Sequence, residues 1–357
     1  MKGATAQIDS QALQHNLAVV RSQIPANTKV VAVVKANAYG HGLVQVAKTL
    51  SSADAYAVAR LEEALILRSN GIVKPIIMLE GFFSADDLPV LAANNLQTAV
   101  HTEEQLQALE QMTLPNPVTV WVKLDTGMHR LGVRPEEVDA FCARLAKCKN
   151  IVQPFNFITH FSCADELDNL ATAKQIELFN QLTKNYLGQR SLASSAGIME
   201  WHDAHADWIR PGIMLYGASP FEGKTGIDHG LRPVMTVKTN LIAVRVLKQG
   251  EPVGYGAKWV SPRDTKIGVV AIGYGDGYPR AYVKQNYVVI EGKMLPVVGR
   301  VAMDMVAIDV TGLKVALGTP VELWGKQRLV DDVADANGTI GYEILCRLSQ
   351  RPHRIVK

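Results

Sequence analysis

In "VVAVVKANAYGHG" five aliphatic residues lead straight into Lys35, with Tyr39 four positions later and glycines at 40 and 42. Beside a buried run an amine loses hydration, its pKa falls, and more of it is neutral and nucleophilic. A strand-end lysine can equally mark where a strand meets solvent, so the chemistry depends on what converges with it. Lys123 and Arg130 flank "LDTGMHR", His160 closes "FITH", Ser194 and Ser195 end "RSLASS", and Arg210 sits in "WIRPG". The serine pair opens "SSAGIME", a short helix start whose free N–H groups and hydroxyls suit a phosphate. Gly212, just past Arg210, allows backbone to approach the same anion. An amine nucleophile, a phosphate cup and the aromatic Tyr39 together describe a pocket for pyridoxal 5′-phosphate (PLP), attached at Lys35 and serving as electron sink.

Such groups act together only if a scaffold brings them to one mouth. The apolar runs "VVAVV", "AYAVA", "KPIIML", "LQTAV", "PVTVWVKL", "QPFNFITH", "RSLAS" and "GIMLYG" read as strands. Between them lie helix-like stretches such as "RLEEALILRSNG", "TEEQLQALEQM" and "NLATAKQIELFNQLTKNYL". Thr102 before two glutamates is a good helix N-cap, and Gly71 a good helix end. Continuous apolar strands alternating with helices indicate parallel β buried on both faces. Eight of them favour a closed (β/α)8 TIM barrel, whose chemistry sits at the carboxyl ends of the strands. No G-x-G-x-x-G turn follows any strand, which weakens a dinucleotide reading. Past about residue 230 the texture changes to β-rich runs joined by short Gly, Pro and Asp turns, a mainly-β domain. The expected division is therefore 1–230 and 231–357, with a last helical pattern broken between Gly338 and Gly341.

The chain has 357 residues, longer than one compact domain, with 48% hydrophobic and 20% charged residues, as in an ordinary globular enzyme. A net charge of +3 without a basic run argues against nucleic acid. No apolar span reaches transmembrane length, and the first residues carry no export signal, so no membrane partner is expected. Cys142, Cys148, Cys163 and Cys346 lack C-x-x-C spacing and read as free thiols in the reducing cytoplasm; no metal is expected.

Taken with "KLDTGMHRLG", "RPGIMLYG", "VGYGAKW", "IGYGDGYPR" and "VGRVAMDM" in that order, the sequence resembles the alanine racemase family of barrel-type PLP enzymes over essentially its whole length. The resemblance implies an isomerase that interconverts L- and D-alanine, supplying D-alanine for peptidoglycan or acting in alanine catabolism. It implies that Lys35 carries PLP, that Tyr39, Ser195, Gly212, Ile213 and Tyr342 hold its phosphate, and that Arg210 faces the pyridine nitrogen. Arg130 would bind the substrate carboxylate. Tyr255 would be the second base, entering with Met303 from the partner subunit of a head-to-tail homodimer, with His160 linking Arg210 to Tyr255. Tyr274, Asp276, Arg280 and Arg300 would line the substrate entrance, and Lys123 matches a lysine that is often carbamylated. Two positions depart from the family pattern: Ala302 replaces the common cysteine before Met303–Asp304, and Ser194 replaces the usual asparagine before the phosphate serine.

These residue types suit inversion of a stereocentre. A single base tends to return a proton to the face it left, whereas an amine and a phenol on opposite faces avoid this. A phenol, with a pKa of about 10, is a poor base at neutral pH and needs cationic support. Arginine holds its proton too tightly to protonate a pyridine nitrogen, so Arg210 gives a weaker sink than a carboxylate would. That argues against a PLP decarboxylase of similar architecture. The second domain argues against a non-catalytic PLP carrier built on a lone barrel. A cofactor-free racemase with paired cysteines would need cysteines at the strand ends, and a broader-specificity racemase of the same fold remains the alternative.

Overall fold

The structure, a computed structural model, describes residues 3–357. Strand β1 (Thr5–Ile8) precedes eight strands that close into a parallel barrel. These are β2 (Lys29–Val33), β3 (Ala55–Val58), β4 (Ile76–Met78), β5 (Gln97–Val100), β6 (Val120–Lys123), β7 (Asn156–Ile158), β8 (Arg190–Ser194) and β9 (Trp208–Arg210). The ring closes where Val30 pairs with Ile209, while Val31 pairs with Ala55 on the other side. Because both faces of each strand are covered, β3 to β7 are buried or nearly so throughout, which is why they read as continuous apolar runs.

The intervening helices carry the expected caps. Thr102 Oγ1 accepts the Gln105 N–H at 3.2 Å ahead of the helix Glu103–Gln111. The helix Leu61–Ser69 ends with Gly71 at φ +83°, its N–H donating to Arg68 O at 3.0 Å. The run "GIMLYG" differs from expectation. The eighth barrel strand is Trp208–Arg210, and Ile213–Tyr216 forms a tight 3-10 turn. Pro211 has no N–H for a ladder, and the backbone turns sharply at Gly212, so the apolar residues beyond are buried by packing rather than by strand pairing.

The second domain comprises β10 (Met235–Leu247), β11 (Pro252–Val253), β12 (Trp259–Val260), β13 (Thr265–Val270), β14 (Tyr287–Ile290), β15 (Lys293–Val298), β16 (Val306–Asp309), β17 (Pro320–Trp324) and β18 (His353–Val356). Its main sheet runs β13-β16-β15-β14-β17-β10-β1-β18. A division at 230 assigned β1 to the barrel segment; instead Thr5 pairs antiparallel with Lys238 and parallel with His353. Backbone pairing on both sides decides the place of a four-residue strand whose pattern favours neither domain. The last helix, Gly341–Cys346, leaves the sheet and packs against the turn after β2, close enough that a side chain on Gly40 would collide with Leu345 O. Both domains therefore border the barrel mouth.

Candidate active site

Lys35 stands at the carboxyl end of β2 and begins a turn of unusual hand. Ala36, Asn37, Ala38 and Tyr39 all have φ between 51° and 55°, four successive left-handed residues without a glycine. Each such residue costs roughly 1–2 kcal/mol, so the turn persists only because its surroundings hold it. Glu63 Oε1 accepts the Ala36 N–H at 2.6 Å, and Asn37 Oδ1 accepts the Leu43 N–H at 2.8 Å. The turn lifts Lys35 into the mouth and carries Tyr39 to its far side. There the Tyr39 ring stacks on Tyr216 with centroids 4.6 Å apart and lies 5.9 Å from Tyr342 on the last helix.

Across from Tyr39, Ser195 begins the short helix Ser195–Glu200. Its Oγ accepts the N–H groups of Gly212 at 3.0 Å and Met214 at 3.4 Å, so three polar groups already meet where an anion would sit. Gly212 is required there: a Cβ would lie 2.6 Å from Tyr39 Oη. The Tyr39 and Tyr342 phenols are pushed well above the ordinary tyrosine range, chiefly by burial, and are hydrogen-bond donors.

Arg210 is buried at the end of β9. Nη1 donates to Ser191 Oγ at 2.5 Å, and Nη2 to the carbonyls of Thr159 at 2.6 Å and Leu192 at 3.1 Å. Among the described residues no acceptor takes its Nε–H, which remains available on the cavity wall. Burial lowers Arg210 to about 9, so it stays charged at neutral pH. Burial, and then the charges of Arg210, Lys123, Arg130 and Lys35, push His160 down to about 3; its imidazole is neutral.

Arg130 rides on the loop after β6. Asp125 folds that loop, accepting the N–H groups of Gly127 at 3.1 Å and His129 at 3.0 Å, and Arg134 Nη1 at 2.9 Å. Burial raises the Asp125 carboxyl, but these bonds and the His129 ring outweigh it and hold the group at about 2. Lys123, buried beneath the loop, donates to Leu79 O at 3.2 Å. Burial and the Arg210 and Arg130 charges lower it to about 8, against the pull of Glu80.

One cavity of about 600 Å³ at the barrel mouth joins Lys35, Tyr39, Lys123, Arg130, His160, Ser195, Arg210, Gly212, Ile213 and Tyr342. Four cations against Glu80 make it a site for a polyanion. An unpaired Arg210 Nε–H, an amine, and hydroxyl and N–H donors in a glycine-floored cup fit the pyridine nitrogen, aldehyde and phosphate of PLP.

The structure does not bring Tyr255, Met303 or the entrance set into this cavity. Tyr255 is 67% exposed in the turn after β11, and Met303 is 53% exposed. Within one chain His160 therefore has no contact with Tyr255. The Tyr274 N–H donates to Ala302 O and Gly275 N–H to Met303 O, while Arg280 lies 6.0 Å over the Tyr274 ring. Arg300 runs alongside Gly256, next to Tyr255. These residues form a single surface cluster on the β domain. Asp276 is buried inside it, accepting the Gly273 N–H at 2.8 Å and lying 3.3 Å from Arg351. It shapes its own turn and pairs with the half-exposed Arg351 within the cluster.

Comparison with known proteins settles the family. Two family models, described as alanine racemase N-terminal domain and alanine racemase C-terminal domain, match residues 8–220 and 234–356. The chain belongs to the alanine racemase family. It is 62% identical over 352 residues to the alanine racemase of Aeromonas hydrophila, covering 98% of each chain. It is 56% identical over 353 residues to the biosynthetic alanine racemase of Escherichia coli O6:H1, again covering 98% of each. Among solved structures, the biosynthetic alanine racemase of Pseudomonas aeruginosa superposes with a TM-score of 0.96 at 42% identity, each chain covered completely. That of Acinetobacter baumannii gives 0.93 at 46%, also with complete coverage. The barrel and mainly-β arrangement is thus that of the alanine racemase family, an isomerase family.

Proposed function

We propose that the protein interconverts L- and D-alanine on PLP attached at Lys35, as a head-to-tail homodimer in which Tyr255 and Met303 of each chain complete the other's cavity. The observation that carries this reading is the single cavity holding an amine, an anion cup and a buried arginine with a free Nε–H. When bound, PLP withdraws electrons from the α-carbon of an amino acid joined to it, which makes the α-proton labile.

The protein's residues then have distinct tasks. The Tyr39 and Ser195 hydroxyls and the Gly212 and Ile213 backbone, with Tyr342, hold the phosphate. Arg210 donates through Nε without giving up its proton, which limits electron withdrawal and stray protonation on the cofactor. Arg130 takes the substrate carboxylate in a charge-assisted bond. The Lys35 amine moves a proton on one face and the Tyr255 phenol of the second chain on the other. Neutral His160 couples that phenol to the charge of Arg210. Tyr274, Asp276, Arg280 and Arg300 line the approach once the two chains meet.

The exposure of Tyr255 and Met303 supports a shared site, because a second base standing in solvent does nothing for its own cavity. The word biosynthetic in the E. coli relative's name supports a supply role over catabolism, and we take peptidoglycan as the destination of the D-alanine. We place the protein in the cytoplasm, in keeping with its four unpaired cysteines. Among the described residues no helix is long and apolar enough to cross a membrane.

The direct test is to incubate the purified protein and PLP with L-alanine and follow D-alanine by chiral chromatography. Uptake of PLP without inversion would favour the non-catalytic carrier, and carbon dioxide release the decarboxylase.

Two further outcomes follow from the site. Gly212→Ala places a Cβ 2.6 Å from Tyr39 Oη, so the phenol must leave the cup. Losing one hydrogen bond to a charged group weakens PLP binding by about 10- to 100-fold, measurable by titrating the apoprotein. Lys123 reacts with carbon dioxide only as the neutral amine. With the amine lowered to about 8, its neutral fraction falls as pH drops below that value. A carbamate signal in 13C NMR under labelled bicarbonate is expected to strengthen from pH 7 to 9 and vanish in Lys123→Met.

A further inference from the structure

His41 adjoins the turn after Lys35 but does not line the cavity. It is 1% exposed. Its Nδ1 lies 2.8 Å from Tyr39 O and 3.0 Å from Ala38 O, so this nitrogen carries the proton and donates to both carbonyls. The ring packs 4.6 Å from Tyr216, which stacks in turn on Tyr39. Nε2 is buried with no partner among the described residues, and burial lowers the imidazole to about 4, so the ring is neutral.

The left-handed turn has two ends with separate supports. Glu63 holds the Lys35 end through the Ala36 N–H. At the other end His41 is the side chain that ties down the Ala38 and Tyr39 carbonyls. Four strained residues relax unless their environment over-determines them. Loss of the His41 bonds therefore loosens the Tyr39 end, where Arg354 Nε still donates to Gly40 O at 2.7 Å, while Lys35 stays anchored.

We propose that His41 is a positioning residue for the phosphate end of the cofactor: its Nδ1–H and its packing on Tyr216 fix the turn that aims the Tyr39 hydroxyl into the cup beside Gly212. This rests on the reading of the cavity as a PLP site. A merely structural histidine would affect every ligand of the pocket alike. A positioning histidine affects the phosphate alone.

The test titrates the apoproteins of wild type, His41→Leu and His41→Asn with PLP and with pyridoxal, which lacks the phosphate. His41→Leu is expected to bind PLP about 10- to 100-fold more weakly, the effect of one lost bond to a charged group, with pyridoxal affinity unchanged. His41→Asn, whose Nδ2–H takes the place of Nδ1–H, is expected to retain PLP affinity. Equal losses for PLP and pyridoxal, or wild-type PLP affinity in His41→Leu, or failure of His41→Asn to differ from His41→Leu, would each overturn the assignment. Wild-type apoprotein that takes up neither compound would instead overturn the cofactor reading, and this assignment with it.

Discussion

Tyr255→Phe is expected to stop inversion while leaving hydrogen exchange on one face of the substrate. The substitution removes the hydroxyl and keeps the ring, so whatever packing the exposed aromatic makes against a second chain survives. Losing a positioned acid–base group costs typically 10²- to 10⁴-fold in rate. On the proposed reading Lys35 still removes and returns a proton on its own side. In deuterium oxide one enantiomer of alanine should therefore gain deuterium at its α-carbon without changing hand, and the other should not. Mass spectrometry after chiral separation reads both quantities. Racemisation and exchange falling together for both enantiomers would place Tyr255 outside the proton path.

Lys35→Ala is expected to have the larger effect, because on the proposed reading it removes the attachment point and one base at once. A fall in kcat of at least about 10³-fold follows from the loss of the nucleophile and acid–base group together. The rest of the pocket survives: the cations at 123, 130 and 210 and the cup at Ser195 and Gly212 remain, so PLP should still bind non-covalently. Borohydride is expected to lock the cofactor irreversibly to its lysine in the wild type, and peptide mapping to find the label on Lys35. In the variant the cofactor should dialyse away after the same treatment. Label on Lys123 in the wild type would reassign the two lysines.

Much of this site is visible in the sequence because a barrel turns linear order into a circle. Lys35, Lys123, His160 and Arg210 each end an apolar run, and closure of those runs is enough to bring them together. The eighth run misleads because "GIMLYG" is apolar for reasons of packing, and Pro211 and Gly212 end the strand just before it. Ser191 was legible only as a strand residue, though with Thr159 and Leu192 it aims Arg210; two of those three acceptors are backbone carbonyls, on which side-chain identity leaves no mark. The left-handed turn leaves a faint one. Asn37, Gly40 and Gly42 tolerate positive φ, but Ala36, Ala38 and Tyr39 do not advertise it. Glu63, 27 residues from its partner at Ala36, gives no local signal either. Tyr255 is different again. No feature of "VGYGAKW" points to chemistry, and only the family resemblance singles it out, because the group it would serve lies outside its own chain's reach.

Mixing the two inactive variants tests the shared site most directly. Co-expressed Lys35→Ala and Tyr255→Phe chains, differently tagged, pair at random, and half the dimers contain one of each. In a head-to-tail dimer each mixed pair has one site with both defects and one with none. The expected activity is then about a quarter of wild type for the mixture, rising to about half in purified mixed dimers. Mixed dimers no more active than the parent variants would contradict a cavity built from the lysine of one chain and the tyrosine of the other.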